Sequence, residues 1–197
     1  MALFGGAMSL RAGKVLQQIG IPKKSCIAIV DFCLKNNYPF IIDDSWYYYH
    51  PETTHEFYSY IDRIVGDFRL KNLEQIMDKE IYKIFILEDT LIDVFSEFLS
   101  GTSLAIHHHS KSCSFDILPS GVNKYKGVTP FIEHHPNDVF VFGDDLNDYE
   151  LFLNFHNSTL LGEHEELEKL AKLKIPHNDN RQQNFADLID TILLGIE

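Results

Sequence analysis

The 197-residue chain is poor in cysteine and in positive charge, and it has no long apolar run. Its three cysteines, Cys26, Cys33 and Cys113, are odd in number and lack CxxC spacing. That excludes a disulfide framework and a zinc ribbon, and it fits a reducing cytoplasm. Lys and Arg number 17 against 29 Asp and Glu, a net charge of −12 with no compensating basic run, so nucleic acid is not an expected partner. No stretch approaches the roughly 20 apolar residues of a membrane span. Residues 1–19 lack the charged and apolar regions of a signal peptide, so no membrane partner is expected either. Apolar side chain, by contrast, is plentiful: 45% hydrophobic residues, with 15 Phe and 9 Tyr, exclude disorder and predict a packed core. The negative field also repels anionic ligands, so a phosphate site here needs a cation such as Mg²⁺ or a local cluster of donors.

The chain opens as a β-hairpin, with arms around Ala7–Leu10 and Val15–Ile19 and a turn at Ala12-Gly13-Lys14. After Pro22, the repeat of Cys26, Ile29, Val30, Cys33 and Leu34 predicts an amphipathic helix whose two cysteines lie in the core. Residues 38–42 and 46–49 read as paired strands around the turn formers Asp43, Asp44 and Ser45. Helices are expected over 52–65, 70–77 and 90–99, and strands over 81–87, 104–108 and 113–118, an α+β pattern with a mainly antiparallel sheet. From Gly121 the pattern becomes α/β: a lysine-bearing loop, the strand 139–142, an acidic turn, the strand 159–161, and helices after it. The last helix carries Phe185, Leu188, Ile189, Ile192 and Leu193 on one stripe.

The chemistry concentrates in Val139-Phe140-Val141-Phe142-Gly143-Asp144-Asp145-Leu146-Asn147-Asp148, an apolar strand running into a carboxylate-rich turn and a helix. Open α/β sheets place ligands at such strand ends. Asp144 and Asp148, about one helical turn apart, can face one small volume, and Mg²⁺ accepts one or two carboxylates with waters and phosphate oxygens. The bland alternative is that Asp144, Asp145 and Asn147 only cap the helix that begins near Leu146. An EF-hand is excluded, because its alternating acidic positions and central glycine are absent. Upstream, in Gly121-Val122-Asn123-Lys124-Tyr125-Lys126, a strand and a turn bring a lysine to the mouth of a helix, where an ammonium can neutralise phosphate. Taken alone, either lysine reads as an ordinary solvated one.

The two segments in this order, Gly121-Val122-Asn123-Lys124 and then Phe142-Gly143-Asp144-Asp145-Leu146-Asn147-Asp148, resemble the third and fourth motifs of haloacid dehalogenase (HAD) superfamily phosphatases of the Cof type with a large type-two cap. The opening Phe4-Gly5-Gly6-Ala7 is similar to the FNGA segment that leads into the cap in this subfamily, and the likeness runs over nearly the whole chain. The resemblance implies an α/β fold: a partial HAD-like Rossmannoid core at residues 1–16, an α+β cap over 17–112, and the C-terminal part of the core over 113–197. It further implies that Lys124 stabilises charge on the phosphoryl group, that Asp144 ligates Mg²⁺, that Asp148 supports the metal, and that Asn147 positions the loop or phosphate. Tyr125 stands where the family has glycine, and Gly5 where it has asparagine.

The family's DxDG[TV] strand, whose first Asp attacks phosphorus, has no counterpart in the chain, nor has the following strand that ends in Ser or Thr. Asp43-Asp44 and Asp89 lack that spacing and do not replace it. In the family those strands lie between the third and fourth core strands, so a gap of roughly 9–10 Å is expected, along with a homo-oligomer that covers the exposed edge. His107 and His109 share one strand face, as metal ligands or as a cleft-facing surface. Residues 46–50 form either a sugar-stacking platform or simply a strand. Three functions follow: a Mg²⁺-dependent phosphohydrolase of small sugar-phosphate-like metabolites, or an N-terminally truncated fragment of one, inactive as this chain; a degenerate phosphate- and Mg²⁺-binding module that regulates or oligomerises; and a histidine-rich metal carrier.

Overall fold

Alternating apolar residues in the middle of the chain build a five-stranded antiparallel sheet. In the computed structural model, which describes residues 1–133 and 136–194, its order is β5-β4-β6-β8-β7. The strands are β4 (Phe40–Asp43), β5 (Tyr48–Tyr49), β6 (Lys83–Ile86), β7 (Leu104–His109) and β8 (Ser114–Pro119). Registers such as Ile42 opposite Ile84, and Ile84 opposite Ile117, align one set of side chains on a single face. On that face Phe40, Ile42, Ile84, Ile86, Phe115 and Ile117 pack with Cys26, Ile29, Val30 and Cys33 of helix α1 (Lys23–Asn36) and with Phe95 of α4 (Ile92–Phe98). The α1 stripe thus reaches the core at four of its five expected positions, while Leu34 is 38% exposed at its edge. Burial pushes the thiols of Cys26 and Cys33 up to about 11 and about 12, so both stay protonated, inert packing groups.

The opposite face carries Ile41 and Phe85, covered by Tyr58, Phe57 and Ile61 of α2 (Glu56–Val65). The Tyr58 hydroxyl accepts from the buried Phe40 N–H at 2.9 Å. The strand expected over 46–49 is only two residues long, because the Asp44 carboxylate takes the N–H groups of Trp46 and Tyr47. Helix α3 (Leu73–Met77) begins with a capping box between Asn72 and Gln75.

The opening hairpin is present as β2 (Met8–Arg11) and β3 (Lys14–Gln18), joined at Ala12-Gly13, and β1 (Ala2–Leu3) pairs antiparallel with β2. These strands and the five-stranded sheet belong to one compact unit, Met1–Phe131, which ends with the short helix α5 (Lys124–Val128) and the 3-10 turn Thr129–Phe131. The boundary expected at 112/113 falls just before β8, whose hydrogen bonds run to β6 and β7.

The second unit, Ile132–Glu197, holds a parallel sheet of order β11-β10-β9, formed by β9 (Phe140–Gly143), β10 (Asn157–Leu161) and β11 (Leu173–Ile175). Its helices are α6 (Tyr149–Asn154), α7 (Glu165–Glu168) and α8 (Arg181–Leu194). Leu151, Phe152, Leu160, Leu167 and Ile175 are buried. The stripe expected on the last helix exists, yet no residue of α8 is fully buried, and Phe185 meets Phe142 edge-on at 5.2 Å. β11 was not expected from the sequence. His134 and His135 lie outside the described residues. Among the described residues no helix is long and apolar enough to cross a membrane.

Candidate functional site

β9 ends on Gly143, and the chain then passes through Asp144 and Asp145 into the 3-10 turn Leu146–Asp148 and helix α6. Asp145 is the N-cap of that turn, its carboxylate accepting from the Leu146 N–H at 2.8 Å. Asp148 reaches back, and its Oδ2 accepts from the N–H groups of Asp144 at 3.0 Å and Asp145 at 3.4 Å, which closes a capping box. The Asp148 carboxylate lies against Gly143, where a Cβ would stand 2.6 Å from Asp148 Cβ and 2.7 Å from Cγ. A side chain at the strand's last position would therefore push the turn open. Capping thus accounts for Asp145, and Asp148 serves the turn through one of its oxygens. Asp144 and Asn147 are half-buried in the same turn.

The donor set here is oxygen alone: the Asp144 and Asp148 carboxylates and the Asn147 amide. Among the described residues no group of three or more His, Cys, Asp or Glu is gathered to hold a metal ion. Zinc would ask for such a group; Mg²⁺ does not, since it fills most of its octahedron with water and substrate oxygens. The turn therefore fits Mg²⁺.

Lys124 lies in the first unit. After β8 the chain turns at Ser120-Gly121, buries Val122 against Ala7, Met8, Tyr82 and Leu118, and starts α5 with Asn123 as N-cap, accepting from Lys126 N–H at 2.9 Å. Lys124 is the first helical residue and is half-buried. The segment Phe4-Gly5-Gly6-Ala7 packs directly on this start. A Cβ on Gly6, whose φ is +102°, would stand 2.0 Å from the Asn123 carbonyl oxygen, and one on Gly127 would stand 2.5 Å from Gly6 Cα. Ser9 Oγ donates to the Gly127 carbonyl at 2.6 Å, fixing the same approach from the hairpin. Only a glycine at position 6 allows the contact that sets the lysine-bearing turn.

A charged network that the sequence reading did not single out crosses the α2-facing side of the five-stranded sheet. Lys83 Nζ lies 3.6 Å from Asp43 Oδ2 and 3.5 Å from Asp116 Oδ1, and His109 Nε2 lies 3.0 Å from Asp116 Oδ2. Asp43, read as a turn former, is thus also an ion-pair partner. The signal was there: one charge inside each of three apolar strands, Phe40-Ile41-Ile42-Asp43, Lys83-Ile84-Phe85-Ile86 and Phe115-Asp116-Ile117-Leu118. His109 is engaged with this carboxylate, and His108 Nε2 lies 3.5 Å from Asp89.

The family model for haloacid dehalogenase-like hydrolases matches residues 1–182, a span that contains both motif segments. The chain belongs to the haloacid dehalogenase-like hydrolases. Solved structures agree on the fold of this HAD-like chain. It is similar to the HAD subclass IIB sugar phosphatase BT4131, with a TM-score of 0.75 and 18% identity over 95% of this chain and 74% of that one. It is also similar to SMU.1108c from Streptococcus mutans, with a TM-score of 0.77 and 16% identity over 96% and 75% of the two chains. For TM0651 from Thermotoga maritima the TM-score is 0.67, with 20% identity over 87% and 68%. Among curated proteins, an uncharacterized protein in the pdhA 5' region of Geobacillus stearothermophilus is 37% identical over 62 residues, which make up 29% of this HAD-like chain and 65% of that relative.

Proposed function

We propose that this HAD-like chain binds the phosphoryl group of a small phosphorylated metabolite, of sugar-phosphate type, together with Mg²⁺. The observation that carries the reading is the Gly143-to-Asp148 turn, an oxygen-only carboxylate site at the C-terminal end of a parallel strand. Asp144 holds the cation, with Asp148 bracing the turn through Oδ2 and supporting the metal, and Asn147 positions the loop or phosphate. When bound, Mg²⁺ offsets phosphoryl charge that the protein's net −12 would otherwise repel. Lys124 supplies a second positive charge to the same class of oxygens.

Attack on phosphorus calls for a nucleophile, and no DxD sequence occurs in the 197 residues. The chain is therefore expected to bind without turnover, which holds equally for an inactive phosphohydrolase or fragment and for a phosphate- and Mg²⁺-binding module. With Mg²⁺ present, calorimetric titration with inorganic phosphate is expected to give saturable binding, weakened at least about tenfold in Lys124→Ala, the loss of one charge-assisted contact. Binding that survives Lys124→Ala unchanged would remove the assignment.

We also propose that the second unit supplies an oligomer contact. Among the described residues β9 is hydrogen-bonded only to β10, and Phe140 on it is 40% exposed. An open apolar edge strand is a template for pairing with a second copy. Light scattering at micromolar concentration is expected to give a dimer or larger; a cooperative, well-folded monomer would contradict it.

A further inference from the structure

We propose that the first unit carries a separate anion site, in which Arg69 receives a carboxylate or phosphate group of a small metabolite. Arg69 ends the 3-10 turn Asp67–Arg69 that follows α2. Its guanidinium lies 3.8 Å from the centroid of the Trp46 ring and 5.4 Å from that of Phe68. Stacking of this kind fixes the plane of the guanidinium while leaving its N–H edge to point outward. Arg69 Nε is buried and has no hydrogen-bond partner, and among the described residues no carboxylate lies within ion-pair distance of the side chain. In a chain with 29 acidic residues against 17 basic ones, an arginine with an unused fork is unusual. A buried donor of this strength is normally satisfied, so the vacant edge points to a ligand.

The residue opens on a cavity of about 150 Å³, lined also by Phe4, Asp43, Asp44, Trp46 and Tyr48. That volume suits one carboxylate or phosphate group with the rest of the molecule projecting from the mouth. The two carboxylates in the wall are already engaged. Asp44 Oδ1 accepts from Trp46 and Tyr47 N–H, both at 2.5 Å, and Asp43 Oδ2 faces Lys83 at 3.6 Å. Lys83 is shared between Asp43 and Asp116, so with Asp44 and Arg69 the nearby charges sum to −1, which favours an anion of low charge over a polyphosphate. The exposed rings of Trp46 and Phe68, at 55% and 66%, offer apolar surface to the remainder of such a ligand. The platform reading of residues 46–50 thereby narrows to one ring, Trp46, whose stacking partner in the structure is an arginine. This site does not depend on the phosphoryl reading of Lys124 and Asp144.

The test is a nitrogen-15 NMR titration of the arginine Nε–Hε signals of the full chain, with inorganic phosphate in one arm and malonate in the other. The Arg69 signal is expected to shift saturably with at least one probe. Response to malonate alone assigns a carboxylate ligand, and response to phosphate alone assigns a phosphate. Affinity should fall at least tenfold in Arg69→Lys, which keeps the charge and loses the fork, and should be unchanged in Lys124→Ala. The proposal is overturned by no saturable shift with either probe, by equal affinity in Arg69→Lys, or by an equal loss in Lys124→Ala. The titration of the unmodified chain decides the matter even if Arg69→Lys fails to fold.

Discussion

A phosphomonoester incubated with this chain and Mg²⁺ is expected to be hydrolysed no faster than with its Asp144→Ala variant. In covalent catalysis the nucleophile and the groups around it act as a unit. Removing the nucleophile alone costs roughly 10⁶-fold in kcat where it has been measured, about as much as removing its partners as well. Where nothing attacks phosphorus, the proposed Lys124 and a cation at Asp144 would have no developing charge to stabilise, so they are expected to add no measurable turnover. Asp43 and Asp44 do not replace that group: one pairs with Lys83, and the other is tied to two backbone N–H groups. Asp89 is engaged elsewhere, 3.5 Å from His108 Nε2. Initial rates with a generic aryl phosphate check this. Turnover that disappears in Asp144→Ala would mean that a nucleophile operates in this sequence, and the binding-module reading would fall.

The second large effect concerns stability. Lys83→Met is expected to destabilise the first unit by about 3–5 kcal/mol, because it leaves Asp43 and Asp116 without their shared cation in a site that is largely closed to water. Lys83 is 22% exposed at its side chain and Asp116 only 8%. Burial alone would lower the Lys83 pKa, but Asp116 and Asp43 outweigh it and hold the ammonium above its ordinary value. Burial would likewise raise Asp116, yet Lys83 and His109 draw its carboxyl below the usual range. For Asp43 burial prevails over Lys83, and its carboxyl is raised.

The pH dependence follows from these directions. The Asp116 contribution is present above the unfolded value of about 3.9 and is lost as pH falls through its lower folded value. The Lys83 contribution is complete below about 10.4 and is lost as pH rises through its higher folded value. Asp43 has the opposite sign from Asp116: its ionisation opposes folding, so its share is lost as pH rises through its raised value. Asp116→Asn is therefore expected to cost more than Asp43→Asn at neutral pH. Urea unfolding of the three variants checks this order, and equal or reversed costs for the two aspartates would contradict it.

Much of the fold was legible in the sequence because the signals were local. The 3-4 spacing of Cys26, Ile29, Val30 and Cys33 needs only a helix and one apolar surface, and both are present. β7 and β8 read correctly because six residues alternate on each strand around a short turn. What was not legible depends on partners distant in the chain. Leu173-Lys174-Ile175 is too short to announce a strand, and it becomes β11 only because Thr159 to Leu161 lie alongside it. α2 showed its helical pattern, but not that it would cover the sheet face opposite α1.

The site divides in the same way. Gly143, Asp144 and Asp148 were readable because turn, cap and strand end lie within a few residues of one another. Lys83, Asp116 and His109 meet only through cross-strand register, and Arg69 meets Trp46 across 23 residues. The Gly6 contact with the start of α5 was legible only as a family pattern; the structure supplies its physical reason, a backbone approach with no room for a Cβ.

The most direct test of the central claim, that the Asp144 turn is a divalent-cation site serving a phosphoryl group, uses Mn²⁺ as a paramagnetic substitute for Mg²⁺ in NMR spectra of the full chain. The account predicts selective broadening of the Asp144 to Asp148 amides, its reversal by excess Mg²⁺, its loss in Asp144→Asn, and shifts at Lys124 when phosphate is added with Mg²⁺. Broadening that is absent from this turn, or that persists unchanged in Asp144→Asn, would contradict it.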